Sequence, residues 1–317
     1  MAAAEFSVID EFFTRDAAYG CAPVIGIGDD CAVLDVPRDQ QLAVSTDTLV
    51  EGVHFLAGSD PQYLGHKVLA VNLSDLAAMG ARPAWVSLAI TMPVIDKQWL
   101  ASFTGAFFAL ADRYSLQLIG GDTTSGPLSI TINIMGLLSS GQRLTRSGAA
   151  VGDDIYVSGS MGCAGLGLVK AKKGMLDITD LDLAAYLKPE PCIELGLALL
   201  DVATSCIDVS DGLAADLSHV LKASGVGARV EHTAVPVNDS VMQYAAQSGD
   251  VCWPYSCGDD YQLCFTVPKN TDLSGIERRL SLKLTKIGCV EQQGGLRLNC
   301  DGDEIQLLDK GYEHFSE

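Results

Sequence analysis

Aspartates recur at the ends of apolar segments along this chain, where they could act together on one ligand. The stretch Gly26-Ile-Gly-Asp-Asp-Cys-Ala32 places Asp29 and Asp30 side by side between glycines and an apolar, strand-like run from Cys31 to Leu34. Two buried carboxylates without partners are strongly unfavourable, because each loses its hydration. A solvated type I turn explains this stretch taken alone. A bound divalent cation explains it if other carboxylates converge on the same place.

A second group of oxygen atoms follows the predicted short strand Gln41-Leu-Ala-Val44. Ser45, Thr46, Asp47 and Thr48 come next, with no turn residue before them. Hydroxyl and carboxylate oxygens at a strand end suit a hard cation such as Mg2+. A capping box for a following helix explains the same residues equally well.

Asp75 lies on the apolar face of a predicted helix over residues 66–79, which Gly80 ends. Val68, Val71 and Asp75 fall at positions i, i+3 and i+7, so the carboxylate shares a face with the valines. The side chain therefore points inward. In that position it needs a cation, an arginine or several hydrogen-bond donors.

Two further predicted strands end in aspartate. The first runs into Gly120-Gly121-Asp122-Thr123, whose glycines let a ligand approach the backbone closely. The second is followed by Asp208, Ser210 and Asp211, and strand alternation projects Asp208 and Ser210 to one face. An amphipathic helix is predicted next, with Leu213, Leu217, Val220 and Leu221 on one stripe and an end near Gly225, and a further strand is predicted over Asp154–Ser158. Like charges ~4 Å apart repel by about 4 kcal/mol at an effective dielectric of 20, so converging carboxylates imply bound cations. The candidate carboxylates are Asp29, Asp30, Asp47, Asp75, Asp122, Asp208 and Asp211.

Three other features allow either a ligand or a purely structural interpretation. Arg143 and Arg146, beside a Ser-Gly pair, suit either a phosphate or a solvated boundary loop. The run from Gly159 to Gly167 resembles a phosphate-cradling helix start, but it lacks the P-loop lysine, and its glycines suit tight helix packing as well. His54 is by default a half-buried loop histidine.

The chain shows no serine elbow, no kinase catalytic-loop signature and no histidine placed as a general base. Phosphoryl transfer tolerates this, because positioning and charge neutralisation supply most of its catalysis. Mg2+ is the natural cation, since carboxylates, waters and substrate phosphates complete its coordination.

The length of 317 residues exceeds one typical core and predicts two globular domains. The pattern of strands and helices restarts around residue 150, so the predicted domains are residues 1–149 and 150–317. Hydrophobic residues make up 48% of the chain, charged residues 19%, and there are 32 glycines. The net charge of -19 argues against binding to nucleic acid or to an anionic membrane.

The sequence also predicts a cytoplasmic location. It has no apolar run of the ~20 residues that a spanning helix requires, and acidic residues near Met1 argue against a secretory signal. The ten cysteines form no Cys-x-x-Cys pair and are expected to be free thiols, many of them buried. With five histidines and no paired thiols, a zinc site is not expected.

Six segments resemble the thiamine-monophosphate kinase family, in order, in a match that runs from residue 5 to Phe315. They are Gly26-Ile-Gly-Asp-Asp-Cys-Ala32, Ser45-Thr-Asp-Thr-Leu-Val50, Val71-Asn-Leu-Ser-Asp-Leu-Ala-Ala-Met-Gly80, Ile119-Gly-Gly-Asp-Thr-Thr124, Leu144-Thr-Arg-Ser-Gly148 and Ile207-Asp-Val-Ser-Asp-Gly-Leu213. The resemblance implies the α/β (α+β) class and a fold like that of aminoimidazole ribonucleotide synthetase. Its N-terminal domain would carry ATP, Mg2+ and a mixed or antiparallel sheet that dimerises, and its C-terminal domain would be α/β.

The resemblance also implies a reaction, in which ATP and thiamine monophosphate give thiamine diphosphate and ADP by direct in-line transfer, without a covalent nucleophile. Several Mg2+ ions would be held by Asp30, Ser45, Thr46, Asp47, Asp75, Asp122, Asp208 and Asp211. ATP would contact Tyr114, Gly121, Asp122, Arg146 and Ser210, and thiamine monophosphate would contact His54, Asp259 and Tyr312. The family usually has Gly-Gly-Glu-Asp-Tyr-Glu-Leu where this chain has Cys257-Gly-Asp-Asp-Tyr-Gln-Leu263, so Asp259 is one methylene shorter.

Two alternatives remain at this stage. One is another ATP-dependent enzyme of the same superfamily, such as selenophosphate synthetase, although the N-terminal segment lacks the Cys/Lys pair expected there. The other is a non-catalytic protein that binds a nucleotide or a divalent metal. It predicts that metal or ATP stabilises the chain, that thiamine monophosphate adds nothing, and that no ADP forms.

Overall fold

The structure is a computed structural model that describes residues 6–15, 21–300 and 303–307. The chain divides into two compact units. One comprises Met1–Leu76 and Ala81–Gly141, and the other comprises Ala77–Gly80 and Gln142–Glu317. Each unit contains its own β-sheet, and the α/β class expected from the sequence is confirmed.

The sheet of the first unit is mixed, as expected, and has four strands in the described part of the chain. The strands are β1 (Gln40–Val50), β2 (Arg82–Met92), β3 (Gln117–Ser125) and β4 (Ser129–Ser139), in the spatial order β1-β4-β2-β3. Strand β4 runs antiparallel to β1 and β2, whereas β2 and β3 are parallel. The helices in this part of the chain are α1 (Pro61–Met79) and α2 (Lys97–Arg113), preceded by a π-helical turn at Ile9–Phe13.

Alternation along the first half of β4 separates apolar from polar side chains on the two faces of this sheet. Ile130, Ile132 and Ile134 are fully buried on the apolar face, which we call the inner face. Thr131 and Asn133 lie on the opposite, outer face and are partly exposed. Side chains that share a face with them across the sheet can therefore be assigned from the strand register.

Helix α1 is buried on nearly every side, so it is a core helix rather than an amphipathic surface helix. Leu69 and Leu73 are both 0% exposed. The helix begins at Pro61 rather than at the predicted His66, because a carboxylate caps it one residue earlier: Asp60 accepts the Gln62 N–H at 2.8 Å. It ends where the sequence predicts, at Gly80, whose φ of +66° few other residues adopt.

The second unit is built on a sheet of seven strands within the described residues, in the spatial order β11-β10-β7-β9-β5-β8-β6. The strands are β5 (Asp154–Ser158), β6 (Ser205–Asp208), β7 (Gly227–Glu231), β8 (Leu263–Val267), β9 (Leu284–Glu291), β10 (Gly295–Cys300) and β11 (Asp303–Leu307). Strands β7 and β10 are parallel, and the other neighbouring pairs among them are antiparallel.

The helices of the second unit include one with the predicted amphipathic pattern. They are α3 (Cys163–Ala171), α4 (Leu181–Leu187), α5 (Ile193–Leu199), α6 (Leu213–Ser224), α7 (Asp239–Ser248), α8 (Trp253–Ser256) and α9 (Ser274–Leu280), with a 3-10 turn at His232–Ala234. Helix α6 buries Leu213, Leu217 and Val220 in the main apolar core. It ends at Gly225, as predicted, with a φ of +68°.

All ten cysteines lie in the described range 21–300, and all are free thiols. Cys206 and Cys264 are buried on the paired strands β6 and β8, and burial raises the pKa of the Cys206 thiol well above its ordinary value. Thiols of this kind are poor nucleophiles. Across residues 6–15, 21–300 and 303–307, none of the helices combines the length and the apolar character that crossing a bilayer requires.

Candidate active site

Strand β1 and helix α1 bring together part of the predicted metal-binding set. Ser45 and Asp47 are two residues apart on β1, so both point to the inner face. The Ser45 hydroxyl donates a hydrogen bond to Asp75 Oδ2 at 2.5 Å. Asp75 is half-buried and points into the unit, as its position on the apolar stripe predicts. This group, which we call the inner-face cluster, consists of Ser45, Asp47 and Asp75 and offers only oxygen atoms.

The prediction that Ser45–Thr48 close a strand is wrong, because β1 continues to Val50. These residues pair with β4 along their whole length, which the local sequence does not reveal. The capping-box alternative also fails, since residues 51–60, all described, contain no helix and α1 begins at Pro61.

Strand alternation separates two other predicted ligands from the inner-face cluster. Thr46 lies opposite Asn133 on the outer face, where the Asn133 amide donates to the Thr46 hydroxyl at 2.5 Å. Asp122 on β3 lies opposite Ala89, which shares the outer face. Asp122 is exposed, and its carboxylate accepts the N–H of Thr123 at 2.9 Å. The predicted set therefore occupies both faces of this sheet.

The two glycines before Asp122 have different structural roles. A Cβ atom built on Gly121 would lie 1.7 Å from the carbonyl oxygen of Leu88, so Gly121 is required for the approach of β3 to β2. A Cβ atom on Gly120 would meet nothing within 4 Å. Of the two glycines that were expected to let a ligand approach the backbone, only Gly120 therefore has open space at the position of a Cβ atom.

Asp29 and Asp30 lie on an exposed turn. The Asp30 N–H donates to Asp29 Oδ1 at 2.8 Å, and the chain on either side is joined by an isolated bridge between Ile25 and Val33. Beyond that bridge, the predicted strand-like run from Cys31 does not form a strand of the sheet. The structure thus gives Asp30 the solvated setting of a turn, which leaves its carboxylate accessible to a cation.

His54 and Tyr114, predicted to contact the substrate and ATP, are each oriented by a neighbour. The Nδ1 atom of His54 accepts the N–H of Val50 at 3.0 Å, so the neutral ring carries its proton on Nε2. Tyr114 is the C-terminal cap of α2, and its hydroxyl accepts a hydrogen bond from the Arg113 guanidinium at 2.7 Å. His54 therefore presents a donor, not an acceptor, at Nε2.

A compact group of carboxylates lies at the end of β6 in the second unit. Asp208 is the last residue of β6 and is 5% exposed. Asp216, on the first turn of α6, is 3% exposed, and its Oδ2 accepts the N–H groups of Ser210 and Asp211, both at 3.0 Å. The pKa of Asp216 is raised to about 8, chiefly by burial and next by the charges of Asp208 and Asp211, although the two backbone hydrogen bonds lower it.

Sequence reasoning missed Asp216, although a usable signal was present. Asp216 is spaced three residues after Leu213 and four before Val220, so it lies on the apolar stripe of α6. The same argument that singled out Asp75 therefore applies to Asp216.

The segment that carries Asp259 is joined directly to the segment that carries Ser210. Asp259 donates its N–H to the Ser210 carbonyl, and Tyr261 donates its N–H to the Val209 carbonyl, both at 2.8 Å. Asp259 has a φ of +70° and Tyr261 a φ of +47°, backbone angles that residues other than glycine rarely adopt. Such strain persists where surrounding contacts hold it, and it is common at binding sites. The Tyr261 hydroxyl donates to Asp259 Oδ1 at 3.1 Å.

Of the two remaining predicted residues, the structure describes Arg146. Arg146 is exposed in a loop where the Thr145 hydroxyl donates to the Ser147 carbonyl at 2.6 Å. Tyr312 lies outside the described residues. No three histidine, cysteine, aspartate or glutamate side chains in the described part are arranged to hold a metal ion by themselves. The inner-face cluster nevertheless fits Mg2+, because two carboxylates and a hydroxyl form an oxygen-only set that waters and phosphates can complete.

Comparison with known proteins places this geometry in a family. Residues 28–138 match the model of AIR synthase related protein, N-terminal domain, and residues 150–301 match its C-terminal domain. The thiamine-monophosphate kinase of Escherichia coli (strain K12) is 46% identical over 324 residues, which cover 100% of this chain and 99% of that protein. The chain belongs to the thiamine-monophosphate kinase family. The resemblance carried by the six segments is confirmed.

Solved structures of thiamine-monophosphate kinases share the fold. The enzyme from Stenotrophomonas maltophilia K279a is 39% identical, with a TM-score of 0.83 and coverage of 94% of this chain and 95% of that chain. The structure of AaThiL complexed with AMPPCP and TMP is 27% identical, with a TM-score of 0.76 and coverage of 98% and 95%.

In this member of the thiamine-monophosphate kinase family, the glycine-rich start of α3 is closed by a carboxylate. Asp260, 7% exposed, accepts the N–H groups of Gly162 at 2.7 Å and Ala164 at 3.3 Å. Burial raises the pKa of Asp260 to about 7, against these hydrogen bonds. A Cβ atom on Gly167 would lie 2.1 Å from the Asp182 carbonyl oxygen. The glycines therefore serve helix packing, and the phosphate alternative is wrong.

Proposed function

We propose that the chain transfers the γ-phosphoryl group of ATP to thiamine monophosphate, giving thiamine diphosphate and ADP. The full-length identity with the Escherichia coli thiamine-monophosphate kinase carries this proposal. The likeness to AaThiL complexed with AMPPCP and TMP supports both ligands, because AMPPCP is an ATP analogue. The clustering of oxygen atoms without a nucleophile agrees with phosphoryl transfer.

The proposed Mg2+ ligands fall into groups with different support. The inner-face cluster is the strongest, because Ser45 and Asp75 already touch at 2.5 Å and Asp47 shares their face. Asp208 and Asp211 form the group in the second unit, where neighbouring negative charge favours a cation. Asp30, Thr46 and Asp122 complete the proposed set. Bound Mg2+ would neutralise the charge of the phosphates and orient them.

The proposed ATP contacts are Tyr114, Gly121, Asp122, Arg146 and Ser210. Arg146 is exposed, and a guanidinium can donate two parallel hydrogen bonds to a phosphate. Ser210 offers a hydroxyl from a loop whose backbone is fixed on both sides by hydrogen bonds. Together these groups orient the nucleotide and counter its negative charge.

The proposed thiamine monophosphate contacts are His54, Asp259 and Tyr312. The protonated Nε2 of neutral His54 suits a phosphate oxygen, because it is a donor. The Asp259 carboxylate is shorter than the glutamate usual in the family, and the Tyr261 hydroxyl orients it at 3.1 Å.

The proposed mechanism is direct in-line transfer. The acceptor is a phosphate that is already anionic, so the reaction needs no strong base to remove a proton. The work of these residues is to hold the two anionic substrates close together in the correct orientation.

The proposal also covers the roles of the two domains and the oligomeric state. Residues 1–149 would form the domain that binds ATP and Mg2+ and dimerises, residues 150–317 would form the C-terminal synthetase-like domain, and the protein would be a cytoplasmic homodimer. Leu42 and Val44, 40% and 56% exposed on the outer face of β1, give that face the apolar character a dimer contact requires. Sedimentation equilibrium should then give about twice the chain mass of 33.5 kDa. A mass of one chain at micromolar concentration would reject the dimer.

An ADP-release assay with Mg2+ and ATP, with and without thiamine monophosphate, tests the proposed reaction. ADP should form at a high rate only when thiamine monophosphate is present, and unphosphorylated thiamine should not replace it. A rate of ADP formation that does not depend on thiamine monophosphate would favour another enzyme of the superfamily. No ADP at all, with ATP-dependent stabilisation, would favour a binding protein.

A further inference from the structure

One carboxylate oxygen of the buried residue Asp216 accepts hydrogen bonds from two consecutive backbone amides. Its Oδ2 accepts the N–H groups of Ser210 and Asp211, both at 3.0 Å. The side chain projects from the first turn of α6 and is 3% exposed. It therefore ties the loop after β6 to the helix that follows it.

The same loop is held from its other side by the segment that carries Asp259. The carbonyl of Ser210 accepts the Asp259 N–H at 2.8 Å, and Gly258 approaches that carbonyl so closely that a Cβ would lie 2.2 Å from it. Gly212, with a φ of +111°, lies against the end of α8, where a Cβ would be 2.9 Å from the carbonyl carbon of Ser256. The peptide groups around Ser210 are thus fixed on both sides, and Asp216 supplies the hydrogen bonds on the α6 side.

We propose that Asp216 is a positioning residue, which fixes the Ser210–Asp211 loop by accepting its two amide hydrogens. The assignment of a role in turnover rests on the proposed function, because Ser210 and Asp211 are the proposed ATP and Mg2+ residues. Asp216 acts through the backbone of this loop, and through the Ser210 carbonyl it also sets the place of Asp259. Loss of the acceptor frees the loop that presents both the nucleotide ligands and the substrate ligand.

Two substitutions separate the acceptor from the charge. Asp216→Asn removes the charge and keeps a carbonyl oxygen that can accept both amide hydrogens. Asp216→Leu removes the acceptor and replaces it with an apolar side chain of similar size. Asp153 provides the matched control, since it is 6% exposed and its Oδ2 accepts the Ala150 N–H at 2.9 Å and the Thr204 hydroxyl at 2.7 Å. Asp153→Leu therefore removes a buried loop acceptor elsewhere in the same unit.

The first readout is amide hydrogen exchange at Ser210 and Asp211, measured by NMR on the full chain without ligands. Asp216→Leu should lose protection at these two amides, whereas Asp216→Asn and Asp153→Leu should keep it. Wild-type protection at both amides in folded Asp216→Leu would overturn the proposal.

The second readout is the Mg2+ dependence of turnover. Asp216→Leu should lower kcat/KM by about 100-fold, because displacing the groups that position a substrate by about 1 Å has an effect of this size. It should also raise the Mg2+ concentration that gives the half-maximal rate. Asp216→Asn should stay near wild type, and Asp153→Leu should lose thermal stability without a change in Mg2+ half-saturation. If Asp216→Leu does not fold, Asp216→Asn still decides, because lost amide protection or a large loss of kcat/KM in it would contradict the acceptor role. A wild-type chain without thiamine-monophosphate-dependent turnover would reject the proposed function, while the exchange data would still decide the role of Asp216 in the loop.

Discussion

Asp75 is the residue on which the proposed Mg2+ site depends most. It is half-buried on a core helix, and the Ser45 hydroxyl donates to it at 2.5 Å. Carboxylate and hydroxyl oxygens held together in this way suit a hard cation such as Mg2+. Asp47 adds a second carboxylate on the same face of β1. Negative charge concentrated in this way is stabilised by a cation.

Asp75→Asn should abolish turnover without unfolding the protein. The amide keeps the size of the side chain and an acceptor for Ser45, but it removes the charge that a Mg2+ ligand needs, so kcat should fall by at least about 100-fold. Asp112→Asn is the control in the same unit, because Asp112 forms a surface ion pair with Arg15 that contributes at most about 1 kcal/mol. Near-normal kcat in folded Asp75→Asn would exclude Asp75 from the site.

Asp260 should make the free energy of unfolding depend on pH. Burial raises its pKa from 3.8 to about 7 in the folded chain, so between these values the unfolded chain ionises first. The stabilisation that the protonated Asp260 carboxyl group gives the folded chain is fully present below pH 3.8 and is lost as the pH rises through about 7. Urea unfolding of Asp260→Asn should therefore show a smaller fall in stability between pH 4 and 7 than the wild type. An identical pH dependence in the two proteins would contradict this assignment.

Among the elements, β3 combines a tightly packed position with a proposed ligand residue. Gly121 packs on the Leu88 carbonyl, and the next residue, Asp122, projects from the outer face. The strand thus uses a glycine to approach β2 closely and, at the next position, carries the aspartate that we propose as a ligand of Mg2+ and ATP. A substitution that disturbs the packing of Gly121 should therefore also displace Asp122.

Gly121→Ala should lower the free energy of unfolding by about 3 kcal/mol, because its Cβ would lie 1.7 Å from the Leu88 carbonyl oxygen. Gly120→Ala is the matched control, since nothing lies within 4 Å of its Cβ, and its change should stay within about 0.5 kcal/mol. Equal stabilities of the two variants in denaturant titrations would refute the close approach of β3 to β2.

Elements with a self-contained pattern could be predicted from the sequence, and those that depend on distant partners could not. Strand β5 lies at the predicted Asp154–Ser158, and α6 ends at the predicted Gly225, because alternation and helical spacing are local. The continuation of β1 through Ser45–Thr48 depends on β4, whose sequence lies far along the chain. The closure of the α3 start depends on Asp260, which is 98 residues from Gly162.

The same distinction applies to the candidate site. The inward direction of Asp75 followed from helical spacing alone, whereas its contact with Ser45 required the packing of α1 against β1. The separation of Thr46 from Ser45 and Asp47 followed from strand pairing that extends past the predicted strand end. Local sequence therefore identifies which residues carry chemistry, and only the tertiary structure shows which of them share a face.

For the whole molecule, Mg2+ with a nucleotide should stabilise the folded chain, and thiamine monophosphate should then stabilise it further. Mg2+ with AMPPCP at about 100 times Kd should add about 2.7 kcal/mol to the free energy of unfolding, which raises Tm by several degrees. Thiamine monophosphate should raise Tm further, and removal of Mg2+ with a chelator should abolish the nucleotide effect. A nucleotide shift that survives chelation, or no added shift with thiamine monophosphate, would contradict the proposed use of both ligands.

The transfer of label from [γ-32P]ATP in a single turnover, with the chain in excess over ATP, tests the central proposal most directly. All label that leaves ATP should appear in thiamine diphosphate, only when thiamine monophosphate and Mg2+ are present, and the protein itself should remain unlabelled at every time point. Label that accumulates on the protein, or that is released as phosphate without forming thiamine diphosphate, would contradict direct transfer between the two substrates.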